Sequence, residues 1–186
     1  EWAMKTLLHG QPSFATMKPY MPKGLNMKKL GQYMNQTFSG RLNEEKIKPI
    51  REMWKGKLVL KGVASEEDTE MAIRLGVDGI IVSNHGGRQL DAGQSSIKPL
   101  MAIAKKYRSQ IKIMMDSGIR SGPDVARALA GGAEFTFMGR SFMYGVAALG
   151  NQGGHHTISI LKSQLQQVME QICCQKTSDF PAHLIS

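Results

Sequence analysis

Residues 43–186 predict an α/β fold made of consecutive βα units around a parallel sheet. Three observations predict it. Apolar runs suited to strands begin at 57, 79, 111 and 135, so successive strands start 22 to 32 residues apart, the length that a crossover through a helix requires. The stretches between them carry helical periodicity and helix caps. Glycine is abundant, at 20 of 186 residues, and aromatic residues make up only 6%, a mix suited to many tight turns.

The elements follow in chain order. Residues 1–42 mix Gly, Pro, Ser and Met without a sustained period and read as an irregular basic segment, with "MKKLGQYM" as a short helical turn at most. Residues 43–54 read as a helix with Asn43 as N-cap and Glu44 and Glu45 in its first turn, weakened in the middle by Pro49. "KLVLKGV" (57–63) is the first strand. "SEEDTEMAIRLG" (65–76) is a helix from the Ser65 cap to the Gly76 stop. "GIIVSN" (79–84) is a strand, 96–108 a helix, "IKIMMDSG" (111–118) a strand, and "GPDVARALAGG" (122–132) a helix with Pro123 near its start. "FTFMGR" (135–140) is the fourth strand, and two helices close the chain. The strands are near-continuous apolar runs, which predicts burial on both faces. Two architectures share this pattern: an open doubly wound sheet, and four consecutive units of a (β/α)8 barrel, which needs roughly 250 residues when complete.

Composition narrows the function. A 186-residue chain that is 41% hydrophobic can bury one core. The only cysteines, Cys173 and Cys174, are adjacent and predict no disulfide framework, hence a reducing, cytoplasmic compartment. No apolar run is long enough to span a membrane, and no signal-peptide pattern is present. An opening at Glu1 rather than Met points to a piece of a longer chain. Residues 1–61 hold 12 of the 24 Lys and Arg but only 4 of the 15 Asp and Glu. No nucleic-acid motif accompanies this basic arm, so peripheral contact with an anionic membrane face is the better expectation.

Polar residues gather at the C-terminal end of every strand. Lys61 ends the first, Ser83-Asn84-His85 the second, Asp116-Ser117-Gly118 the third and Gly139-Arg140 the fourth. Ligands bind at that edge in both candidate architectures. His85, in a Gly-flanked loop, can take a proton near neutral pH. Arg88 offers a planar fork for a carboxylate. Asp91 either orients a partner or caps the following helix. "DSGIRSG" (116–122) and "MGR" (138–140) bring glycines, backbone N–H groups, Arg120 and Arg140 to adjacent helix starts, as a phosphate cradle does. Lys61 can stabilise negative charge that develops on a cofactor ring. No metal-ligand set stands out.

The stretch "SNHGGRQLD", with "LVLKGV", "MMDSGIRSGPDVARALAGGA" and "MGRSFMYGVAALGNQGG", resembles the FMN-dependent L-2-hydroxy acid dehydrogenases and oxidases. The likeness runs from about residue 45 to 172, and "GLNMKKLGQYMNQTF" looks most like the bacterial L-lactate dehydrogenases. The resemblance implies a (β/α)8 barrel of which this chain is the C-terminal half, and FMN as cofactor. It implies His85 as the base that accepts the substrate hydroxyl proton and Arg88 as the carboxylate clamp. Lys61 would contact the flavin ring, with Ser83 close by. Asp116, Gly118 and Arg120 would hold the ribityl and phosphate groups, with Gly139 and Arg140 completing the phosphate site.

The family's first four βα units have no counterpart here, and after its last helix the chain reads "QICCQK" where the family has a Gly-containing turn. Half a barrel leaves two sheet edges open. The expected partners are therefore a small 2-hydroxy acid and either the missing N-terminal half or a second copy. Two function classes remain: part of an L-lactate dehydrogenase, with an oxygen-using oxidase as runner-up, or a half-barrel that binds FMN or another phosphate ligand without turnover.

Overall fold

A computed structural model describes residues 2–10, 16–24, 27–37 and 42–184. The chain divides into two compact units, Glu1–Leu42 and Asn43–Ser186. The first unit corrects the expectation of an irregular segment: it forms helices α1 (Trp2–His9) and α2 (Met27–Thr37). Leu30, Tyr33 and Met34 share one face of α2, and the Tyr33 hydroxyl donates to the carbonyl of Tyr20 at 3.0 Å. Gly31 inside α2 and the nearby prolines broke up the period that the sequence would otherwise have shown.

The second unit holds α3 (Glu44–Met53), β1 (Val59–Val63), α4 (Glu66–Arg74), β2 (Gly79–Val82), α5 (Ile97–Tyr107) and β3 (Lys112–Met115). It continues with α6 (Gly122–Ala130), β4 (Phe135–Thr136), α7 (Arg140–Leu149) and α8 (Gly153–Gln171). The caps are chemical. The Asn43 side chain accepts from the Lys46 amide at 3.2 Å and Ser65 from the Asp68 amide at 3.1 Å. Ser121 and Asp124 form a capping box at the start of α6. Gly76 turns left-handed (φ +69) after α4, letting the Val77 amide reach back to the Ala72 carbonyl at 3.0 Å. Cys173, also left-handed (φ +54), does the same after α8, with the Cys174 amide reaching Met169 at 2.8 Å. A non-glycine thus makes the turn that relatives were expected to make with glycine. α3 continues through Pro49 rather than breaking there.

The four strands are parallel and lie in the order β1-β2-β3-β4. A doubly wound sheet reverses its strand order at a switch point, whereas the strands of a barrel follow one another around it. The uninterrupted order is that of four neighbouring barrel strands. Across it Lys61, Ile81, Met114 and Phe135 stand in register.

The helix-facing side is the core: Ile80, Val82, Ile113 and Met115 pack with Leu100, Ile103 and Ala128. The opposite side departs from the expectation of burial on both faces. Ile81 and Met114 are half-buried, Val59 is 40% exposed and Phe135 58%. The apolar runs are those of strands covered on both sides, but the described residues cover only one. Behind α6 and α8 the turn Thr177–His183 inserts Phe180, which is buried against Ala126 and Cys174.

Candidate functional site

The first strand ends at Val63 as expected, and the other three stop earlier than the sequence suggested, at Val82, Met115 and Thr136. The polar clusters after β2, β3 and β4 therefore sit in the loops beyond them, Lys61 lies within β1, and Arg140 opens α7 instead of closing a strand. These loops surround a cleft of about 620 Å³ lined by Lys61, His85, Gly86, Arg88, Asp116 to Arg120, Phe137 to Arg140, Met143 and Tyr144. Eight of the nine residues singled out from the sequence line it. The ninth, Ser83, lies buried beneath it.

At the β1 end, the Lys61 ammonium pairs with Asp116 Oδ2 at 2.9 Å and donates to Ser83 Oγ at 3.0 Å. Lys61 is half-exposed rather than buried, with 47% of its side chain accessible against 16% for Asp116. Burial by itself pushes the Asp116 carboxyl up. Hydrogen bonds from Ser83, Lys61 and Ser117 and the charge of Lys61 outweigh it and hold the group below its ordinary value. Asp116 is thus an anion that keeps the Lys61 ammonium at the end of β1.

The β2 loop carries His85. Its backbone is left-handed (φ +57), and Gly86 (φ +67) and Gly87 (φ +72) follow in the same region, which only glycine enters without strain. The turn aims the imidazole at Arg88, whose Nη1 lies 3.3 Å from His85 Nε2. Guanidinium can only donate, so in this contact Nε2 is the accepting nitrogen. Asp91 is exposed and does not cap the following helix: α5 begins at Ile97, behind Ser96, whose Oγ accepts from the Asn84 amide at 3.1 Å.

At the β3 and β4 ends, Gly118 is left-handed (φ +78), and a Cβ added to Gly118 or Gly139 would meet nothing within 4 Å. Both glycines border open space. The first turn of α7 presents unpaired amide N–H groups beside the Arg120 and Arg140 guanidiniums. This donor set fits a phosphate. With Lys61 lining the same cleft, it fits the phosphate and the ring edge of FMN. Arg140 Nη2 also donates to the Gly86 carbonyl at 2.8 Å, tying the cradle to the His85 turn. Arg120 is exposed and its amide bonds Asp124 Oδ2 at 3.1 Å.

Sequence reasoning gave no role to Ser117, which bonds both Asp116 and Gly86, or to Phe137, Met143 and Tyr144. Ser117 was visible inside "DSGIRSG". The apolar three have no polar signature and could be found only by their place on the cleft wall.

Compared with known proteins, the chain matches the FMN-dependent dehydrogenase family over residues 1–186. It is 37% identical over 185 residues to an L-lactate dehydrogenase of Alcaligenes faecalis, covering 99% of this chain and 49% of that protein. It is 38% identical over 169 residues to an L-lactate dehydrogenase of Haemophilus influenzae (strain PittEE), covering 90% and 44%. Among solved structures, a mandelate oxidase with benzoyl-formic acid superposes with a TM-score of 0.71 at 34% identity, over 75% of this chain and 42% of that one. The chain therefore spans about half the length of the curated relatives it matches. With its whole length matched and its four strands ordered as neighbours in a barrel, this chain belongs to the FMN-dependent dehydrogenase family, a family of flavoprotein oxidoreductases.

Proposed function

We propose that this chain is the C-terminal part of an enzyme that oxidises a small L-2-hydroxy acid, with L-lactate as the substrate to test first, to the 2-oxo acid. The observation that carries the reading is the His85–Arg88 pair, 3.3 Å apart on the wall of a cleft that Lys61, Arg120, Gly139 and Arg140 also line.

Bound FMN supplies the acceptor for the hydride, or its equivalent, that the substrate carbon gives up. Arg88 binds the substrate carboxylate through its two-pronged guanidinium. That places the neighbouring hydroxyl beside His85, whose imidazole takes the hydroxyl proton as the carbonyl forms. Lys61, held in place by Asp116 and Ser83, would balance negative charge at the cofactor's ring edge. Arg120, Arg140, Gly139 and the first amides of α7 would hold the phosphate, and Asp116 and Gly118 would hold the ribityl chain. The L-lactate dehydrogenase reading is supported by relatives of that name at 37–38% identity. An oxygen-using oxidase is the second reading, supported by the mandelate oxidase likeness.

The proposal includes partners. Val59, Phe135 and Phe137 are exposed on or beside a sheet with two open edges, which suits pairing with four further βα units or with a second copy. Met4, Leu7 and Leu8 on α1 are 62–79% exposed in the basic first unit, which suits peripheral contact with an anionic membrane. No helix among the described residues is long and apolar enough to cross one.

An anaerobic visible spectrum before and after adding L-lactate tests the reading. A flavin band that bleaches with lactate is expected from the assembled protein. A flavin band that ignores lactate and other 2-hydroxy acids would overturn the assigned reaction, and a preparation that cannot be loaded with FMN would overturn the cradle.

A further inference from the structure

We propose that Ser117 is a positioning residue for His85, its hydroxyl holding the His85–Gly87 turn in its left-handed geometry. The proposal rests on the reading of His85 as the base.

Three consecutive residues of this turn have positive φ. Glycine enters that region freely, but His85 does not, so its conformation must be held from outside. Two of the restraints are local. The His85 amide donates to Ser83 Oγ at 3.1 Å, and the Gly86 amide to Asn84 Oδ1 at 3.0 Å. Such bonds let a loop fold on itself but do not fix it to the sheet. Ser117 does: its Oγ accepts from the same Gly86 amide at 3.0 Å, across a sequence distance of 31 residues.

Ser117 is suited to this. It follows Asp116 directly beyond β3, and its hydroxyl proton is committed to Asp116 Oδ1 at 2.7 Å, which leaves the oxygen lone pairs to accept. Its own backbone is left-handed (φ +75), a conformation that sets the side chain beneath the neighbouring loop. The second long-range hold on the turn, from Arg140 to the Gly86 carbonyl, comes from a side chain that the proposed function also offers to phosphate. Ser117 carries the rigidity of the Lys61–Asp116 pair to the residue that moves the proton.

The test uses Ser117→Gly and Ser117→Ala in the isotope-labelled chain. Glycine suits φ +75, so Ser117→Gly removes the hydroxyl without backbone strain. Both variants are expected to lose protection of the Gly86 amide against hydrogen exchange by about fivefold or more. The His85 imidazole cross-peak should broaden or split, while the core amides of Ile80 and Ile113 keep their protection. In flavin-loaded protein, kcat should fall with KM for the 2-hydroxy acid nearly unchanged. Parent-like Gly86 exchange and a parent-like His85 signal in Ser117→Gly would overturn the proposal. So would an effect confined to Ser117→Ala, which would assign it to backbone strain. Undiminished turnover in His85→Ala would instead remove the base reading, and leave the exchange result to judge the brace.

Discussion

His85 and Arg140 show how single residues serve two demands at this cleft. His85→Ala in flavin-loaded protein is expected to lower turnover about 10²- to 10⁴-fold, the usual worth of a positioned base, while flavin absorbance is retained. Stopped-flow reduction by L-lactate checks it, and a parent-like rate would move the base elsewhere. Arg140 reaches Gly86 as well as the proposed phosphate position. Arg140→Ala is therefore expected to weaken FMN retention about 10- to 100-fold, the range for a lost charge-assisted bond. It should also lower turnover of whatever flavin remains. Equilibrium dialysis and rates normalised to bound flavin separate the two effects. His85 was legible because its chemistry is written in its residue type and its glycine neighbours. Ser117 was not, because a serine declares a contact only once its partner 31 residues away is placed.

At the scale of elements, Asp78 joins the loops before β1 and β2. Lys57 Nζ reaches its carboxylate at 2.8 Å, the Leu58 amide at 2.9 Å and Arg51 at 3.0 Å. The Lys57 and Leu58 bonds, with Arg51, pull the carboxyl down to about 2. Because the folded value lies below the unfolded one, this contribution is complete above the ordinary carboxylate range and is lost as pH falls towards about 2. Urea midpoints measured from about pH 5 downward should drop less steeply in Asp78→Asn than in the parent chain. Equal slopes would deny the linkage.

Helices α7 and α8 meet through glycines. A Cβ on Gly145 would lie 2.1 Å from Thr157 Oγ1, and one on Gly153 2.1 Å from the Gly145 carbonyl. Gly145→Ala should therefore cost about 1–3 kcal/mol by overpacking, read from urea denaturation. An unchanged midpoint would mean that the helices can part without cost. Nothing in the sequence marks Gly145 as a close approach, because the approach of α8 is a tertiary fact.

For the whole molecule, the exposed side of the sheet decides what the chain needs. Phe135 and Phe137 stack edge to face, with centroids 5.1 Å apart, at 58% and 41% exposure. Apolar side chains beside open strand edges promote association. Sedimentation velocity of the chain at micromolar concentration is expected to show species heavier than its 20.5 kDa monomer, and Phe135→Lys to shift them towards the monomer. A parent chain that sediments only as monomer would remove self-association and leave the missing βα units as the partner.

The sequence by itself determined the four βα units, most of their caps and the edge where chemistry gathers, because these follow from short-range periodicity, capping and residue type. Residues 57–140 also held the signature that names the family. Strand order and the exposure of the sheet were decided only in the tertiary structure. An apolar run such as "GIIV" pairs equally well in a doubly wound sheet or a barrel, and nothing local records which neighbour it takes. The order β1-β2-β3-β4, the uncovered Phe135 and the reach of Ser117 to Gly86 all depend on long-range contacts, and those exist only once the chain has folded.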